Sequence, residues 1–165
     1  MQIKQRIKQL EQSKEFKDWW KENTHLFLTH AFIMPNAEGH GDWQFGYYDE
    51  QTEKMTSFLT DEEETKISPP TEVFKKPGTK IKQLNIEKVN TDLKQALETT
   101  EELRQKEYEQ EGKERTIAIL QHLDIGVVWN ITILTRTHKT LNIKIDAETG
   151  KIKEQSLGSL ISTEY

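Results

Sequence analysis

The stretch Val127–Ile152, VVWNITILTRTHKTLNIKIDAETGKI, decides the fold class of this chain. Trp129, Ile131 and Ile133 alternate with Asn130, Thr132 and Leu134. After the polar break Thr135-Arg136-Thr137-His138-Lys139, the residues Leu141, Ile143 and Ile145 alternate with Asn142, Lys144 and Asp146. Apolar residues at every second position share one side of an extended chain, and β-branched and aromatic types suit a half-buried pleated surface. Asp146-Ala147-Glu148-Thr149-Gly150 then reads as a turn, with an aspartate able to accept from the backbone ahead of it and a glycine free to take positive φ. The stretch is an antiparallel meander with one buried face.

Upstream of it, Leu93, Ala96, Leu97, Thr100, Leu103 and Tyr108 form the apolar stripe of a helix that Asn90 or Thr91 can cap and that ends near Gly112. Arg115–Leu123 is a strand, and Asp124-Ile125-Gly126 turns into the meander. The first half runs in a similar order. Ile3, Ile7 and Leu10, then Phe16 with Trp19 or Trp20, predict a helix over residues 2–22 whose phase slips at Ser13. Adjacent Trp19 and Trp20 cannot both face one way, so one is expected in the core and the other at a rim. His25–Met34, Trp43–Tyr48 and Lys54–Thr60 read as strands. Asp61–Glu64 is an acidic run, Ser68-Pro69-Pro70 a loop, and Thr71–Leu84 a linker packed down by Val73, Phe74, Ile81 and Leu84. Ser156–Tyr165 is a mildly apolar tail with a final strand edge.

Residues 43–55 can be laid beside residues 141–152: each is an alternating strand, an aspartate, a turn containing threonine, then lysine and an apolar residue. With a helix before each, this predicts an α+β protein of two similar helix-on-antiparallel-sheet units, helix-β-β-β then helix-β-β-β-β. The expected divisions are a first unit over 1–62, a packed linker over 63–89 and a second unit over 90–165. Leu93-Lys94-Gln95-Ala96-Leu97, the strand containing Trp129, and the run from Ile143 to Ile152 resemble PepSY domains, which are cystatin-like α+β modules. The resemblance covers residues 90–157, and more loosely 1–60 as a degenerate copy. It implies a non-catalytic module that binds or inhibits peptidases.

The chain has 165 residues, a net charge of -5, 33% hydrophobic and 31% charged residues, and no cysteine. The acidic balance, without a Lys/Arg run interleaved with aromatics, argues against nucleic acid. Absence of cysteine excludes disulfides, thiol catalysis and thiolate metal sites. No run approaches the roughly 20 apolar residues of a membrane span. The charged N-terminal MQIKQRIKQLEQSKEF lacks the apolar centre of a signal peptide, so a cytoplasmic location is expected, or an extracytoplasmic one if a leader has been removed.

Phosphate-binding glycine loops, nucleophile elbows and His-Glu-x-x-His are missing. The histidines His25, His30, His40, His122 and His138 have no metal-ligand spacing. No catalytic residue, metal or cofactor is expected. The leading expectation is a non-enzymatic module recognising a peptide or protein through a sheet edge or an aromatic-lined face, with Trp43, Tyr48, Trp20 and His40 as binding residues. A second expectation is a small-molecule or weakly catalytic site between the halves around His30, His40 and Asp42. A third is a structural homodimerisation unit.

Overall fold

The computed structural model describes residues 2–159. Two short helices open the chain, α1 (Ile3–Gln12) and α2 (Lys14–Trp20). Ile3, Ile7 and Leu10 bury one stripe of α1. Ser13 causes the phase slip: its backbone leaves the helix with ψ 150, its hydroxyl donates to the Leu10 carbonyl at 2.7 Å, and its Oγ accepts from Phe16 N at 3.2 Å. One serine thus closes α1 and caps α2, so the expected single helix is two.

Strands β1 (Phe27–Ile33), β2 (Trp43–Asp49), β3 (Lys54–Thr60), β4 (Thr65–Ile67) and β5 (Thr71–Glu72) follow. Helix α3 (Leu93–Glu107) comes next, then β6 (Lys113–Leu123), β7 (Gly126–Thr135), β8 (Lys139–Asp146) and β9 (Ile152–Ser159). The nine strands of the described residues join one antiparallel sheet in the order β4-β3-β2-β1-β6-β7-β8-β9, with β5 also paired to β3. The seam between the halves is itself a strand pair: β1 and β6 match His30 with Gln121 through Ile33 with Ala118.

One hydrophobic cluster joins residues from the three helices to one face of the sheet. Ala31, Phe45, Leu120, Trp129, Ile131, Ile143 and Ile145 are fully buried there, as period-two alternation requires. The opposite face is half-buried and carries His30, Phe32, Gln44, Ile119, Asn130 and Asn142. A bulge in β1 between Leu28 and His30 sends Leu28 to the core side and His30 to the outer side.

Helix α3 is capped by Asp92, not by Asn90 or Thr91. Its carboxylate accepts from Gln95 N at 2.9 Å while the Gln95 side chain accepts from Asp92 N at 2.9 Å. Thr91 instead anchors the helix start, because its carbonyl accepts the Trp129 indole N–H at 2.8 Å.

The segment over 63–89 holds β4 and β5, which lay inside what the sequence presents as loop and linker. Leu84 and Val89 are buried, but Phe74 is 102% exposed and packs nothing down. The similar stretches at 43–55 and 141–152 also occupy unlike places: β2 is second from the seam and β8 third. The expected tail is seen as β9 up to Ser159; its remainder lies outside the described residues.

Candidate functional site

Strand β1 ends at Ile33, while β6 reaches five residues beyond its last β1 partner, Ala118, to Lys113. The chain leaves the sheet at Met34-Pro35, since proline has no N–H to give a neighbouring strand. Asn36 then closes a tight loop: its Oδ1 accepts from Glu38 N at 3.0 Å and His40 N at 2.9 Å, and its own N–H donates to the His40 carbonyl at 2.8 Å. Gly41 must remain glycine, because a Cβ there would stand 2.8 Å from the Met34 carbonyl oxygen.

Between this loop, α3 and the start of β6 lies a cleft of about 960 Å³. Met34, Leu97, Thr116 and Ile133 give it apolar surface, and His40, Asp42, Lys94 and Arg115 stand among its polar lining. Along Lys113–Ile117, β6 pairs with β7 on one side, and among the described residues no strand pairs with its other side. A bulge at the register shift between Lys113 and Arg115 bends the strand there. The wall is fixed by Glu101, which takes Arg104 in a two-point ion pair at 2.5 and 3.0 Å, while Arg104 also donates to the Glu111 carbonyl at 2.9 Å. The hydrogen-bonded Arg104 guanidinium holds the Glu101 carboxyl below the usual carboxylate range. Thus the helix end and the strand start are tied together. What remains open is backbone: a short row of edge N–H and C=O groups beside an apolar wall, a surface suited to an extended chain.

The residues singled out from sequence do not gather at this cleft. His40 lies in it. Trp43 is only 5% exposed, stacked on Phe45 with centroids 6.0 Å apart and touching Trp129, so it is core and not a surface anchor. Tyr48 does face away from the main core, but at 3% exposure it is covered by Phe27 and the Lys75 ammonium. The more exposed aromatics expected in the 43–55 stretch are therefore buried. Trp19 and Trp20 are both half-buried, gathered with Tyr47 around the buried Phe16 ring, so neither is fully core.

The trio His30, His40 and Asp42 does not assemble. His40 and Asp42 line the cleft, whereas His30 lies on the outer sheet face with its Nδ1 2.9 Å from Thr29 Oγ1. His25 meets Asp49 at 3.2 Å, and His122 donates to the Gln83 carbonyl at 3.0 Å through Nδ1. Among the described residues, no three His, Asp or Glu side chains are grouped to hold a metal. Sequence reasoning missed Lys94, Leu97, Arg115 and Thr116 as cleft residues. The sequence carried no signal for it, because Arg115–Leu123 and His25–Met34 read as strands of nearly equal length, whereas the structure gives eleven residues beside seven.

Fold and cleft together define a small α+β protein with helices on one face of an all-antiparallel sheet and an open gap in that sheet. No protein-family model matches the chain, and no curated protein sequence does. Its fold is similar to the crystal structure of a "putative lipoprotein" from Clostridium difficile 630, with a TM-score of 0.53 at 11% identity over 87% of this chain and 90% of that one. At that identity the likeness concerns the fold alone. No helix among the described residues is long and apolar enough to cross a membrane.

Proposed function

We propose that this protein is a non-enzymatic module that binds an extended segment of a peptide or protein at an open edge of its sheet. The observation that carries the reading is the unpaired side of β6 over Lys113–Ile117, of which Lys113–Thr116 lines a cleft of about 960 Å³. Edge strands offer ready main-chain hydrogen bonds, and proteins normally cover or blunt them. This one sits beneath a helix wall with room for another chain, a setting that suits strand addition. Two related units, which the PepSY-like reading has, are supported by the sheet order, with β2 answering to β7 and not to β8. Helix and strand runs precede and follow the seam alike, and β2 and β3 stand on one side of it as β7 and β8 stand on the other. In that reading a peptidase, or its propeptide, is a natural source of the bound segment.

The test is selection of random displayed peptides against the full chain. Convergence on a short motif that then slows amide exchange along a sheet edge is expected. Failure of any motif to converge would sink the reading.

A homodimer is favoured by one separate observation. All eight residues of β9 are exposed, Ile152 at 37% and Leu157 at 39%, and among the described residues β9 is the last strand of the sheet. Sedimentation at high micromolar concentration decides it: a dimer that Leu157→Lys dissociates is expected, and a concentration-independent monomer refutes it.

A further inference from the structure

The β1–β6 seam has two ends, and the chain fills one of them itself. Where β1 begins, the residues Gln83 and Leu84 lie as a short extended wedge against both strands. Leu84 N donates to the Leu28 carbonyl of β1 at 2.8 Å, and the Gln83 carbonyl accepts from His122 of β6 at 3.0 Å. The Leu84 side chain is 3% exposed in the core cluster, and Lys82 reaches Asp124 just past β6 at 2.9 Å. Backbone bonding to the strand edge and one buried apolar side chain hold this piece, and a cation flanks it.

At the other end the same parts are present without the wedge. Because β1 and β6 are antiparallel and adjacent, a twofold rotation normal to the sheet exchanges them and carries the filled end onto the open one. There the β6 edge runs over Lys113–Ile117, with Leu97, Met34 and Ile133 as apolar wall. The charged lining is acidic on balance: Glu38, Asp42, Glu98, Glu101 and Glu114 against Lys94, Lys113 and Arg115. Glu101 is already engaged with Arg104 and lies 3.9 Å from Lys113, leaving four carboxylates and two cations around the opening.

We propose that the open end of the seam seats an extended segment of a partner protein, an apolar residue flanked by lysine or arginine. Its backbone bonds the β6 edge, and its apolar side chain enters beside Leu97 as Leu84 enters at the filled end. The proposal deepens the peptide-binding reading and rests on it, naming which edge is used and what chemistry it takes.

The molecule supplies its own probe. The synthetic peptide Thr-Lys-Ile-Lys-Gln-Leu-Asn, the sequence of residues 79–85, combines the leucine with flanking lysines. Added to the 165-residue chain, it is expected to shift amide resonances of Glu114–Ile117 and Leu97 and to slow exchange of the cleft-facing amides several-fold. A peptide carrying Leu84→Asp should lose the effect. The protein variant Leu97→Glu should bind several-fold more weakly while its remaining amide spectrum stays native. Shifts confined to β9 or β4 would overturn the assignment of this cleft while leaving edge recognition standing. Shifts at Leu28 and His122 would mean exchange with the built-in wedge and would also overturn it. No shift at millimolar peptide overturns it as well, and the displayed-peptide selection then decides separately on the broader reading.

Discussion

The two ends of the β1–β6 seam differ in what closes them, and that difference separates structure from function in this molecule. At one end Leu84 is 3% exposed and its N–H is bonded to Leu28. At the other, Met34 is 41% exposed beside an unpaired stretch of β6. Both ends pose the same problem, because four residue pairs cannot cover two strands of seven and eleven residues. The chain solves it once with its own linker and leaves it unsolved the second time. A gap kept open by Pro35, by an Asn36-closed loop and by an obligatory Gly41 is held in place by the same local chemistry that holds an ordered turn.

The sharpest way to break this comparison is to remove the wedge. Leu84→Ala is expected to cost about 2–5 kcal/mol, the range for a buried leucine truncated to alanine. Met34→Ala at the open end should fall within about 0.5 kcal/mol of the parent, as surface substitutions do. Denaturant midpoints check both, and equal costs would mean that the two ends are filled alike. Amide exchange gives a finer view. The Leu84 N–H should be protected, whereas alternate amides along Lys113–Ile117 that point away from β7 should exchange quickly.

Next in size is the strand pair beside the seam. His30 pairs with Gly46 across β1 and β2, and a Cβ on Gly46 would come within 2.1 Å of the His30 ring. The imidazole therefore sits over the glycine with its Cε1 nearest, its Nδ1 2.9 Å from Thr29 Oγ1, which donates to the Gly46 carbonyl at 3.1 Å. Gly46→Ala must push the ring out, and a loss of about 1–3 kcal/mol is expected, as for overpacked sites. In a His30→Ala background the same substitution should cost much less, so the double-mutant cycle should show clear coupling. Additive costs would refute the contact.

How much of this was legible in the sequence follows from which interactions are local. Alternation in β7 and β8 and the stripe of α1 fixed strand faces and helix face, because each period is written in consecutive residues. Ser13 could be suspected from the phase slip between Leu10 and Phe16. The burial of Trp43 could not, because it depends on Trp129, far along the chain. Tyr48 shows the same limit: alternation correctly turned it from the core, yet Phe27 and Lys75 bury it from the other side. The cleft was least legible of all, since it arises from a strand that is absent beside β6, and no residue pattern marks an absence. His40 was singled out as a binding residue and lies in the cleft, while Leu97 passed as part of the apolar stripe of its helix.

The pH dependence of the seam is a smaller effect with a definite sign. Burial pushes the His30 imidazole below its ordinary range. The unfolded chain then takes up a proton near pKa of about 6.5 while the folded chain still refuses it, so stability is whole above that pH and falls as pH drops below it. The denaturation midpoint is expected to decline between about pH 7 and about pH 5.5, before carboxylates of ordinary pKa begin to titrate. His30→Gln should flatten the decline in that window. An unchanged slope in the variant would assign the decline to another histidine.

The smallest expected effect tests what holds the wedge. Lys82 and Asp124 meet at 2.9 Å, but the Asp124 side chain is almost wholly exposed, at 99%. Solvent and salt screen such a pair, and ordering two surface side chains offsets most of its attraction. Lys82→Ala should therefore leave the denaturation midpoint unchanged within error, in contrast to Leu84→Ala two residues on. If Lys82→Ala instead loosened the Leu84 amide in hydrogen exchange, the flanking cation would be part of the anchor. The peptide preference inferred for the open end would then lean more on charge than on the buried leucine. If only Leu84→Ala loosens it, burial sets the affinity at the filled end, and the cations of a partner segment would govern its approach to the acidic rim of the open one.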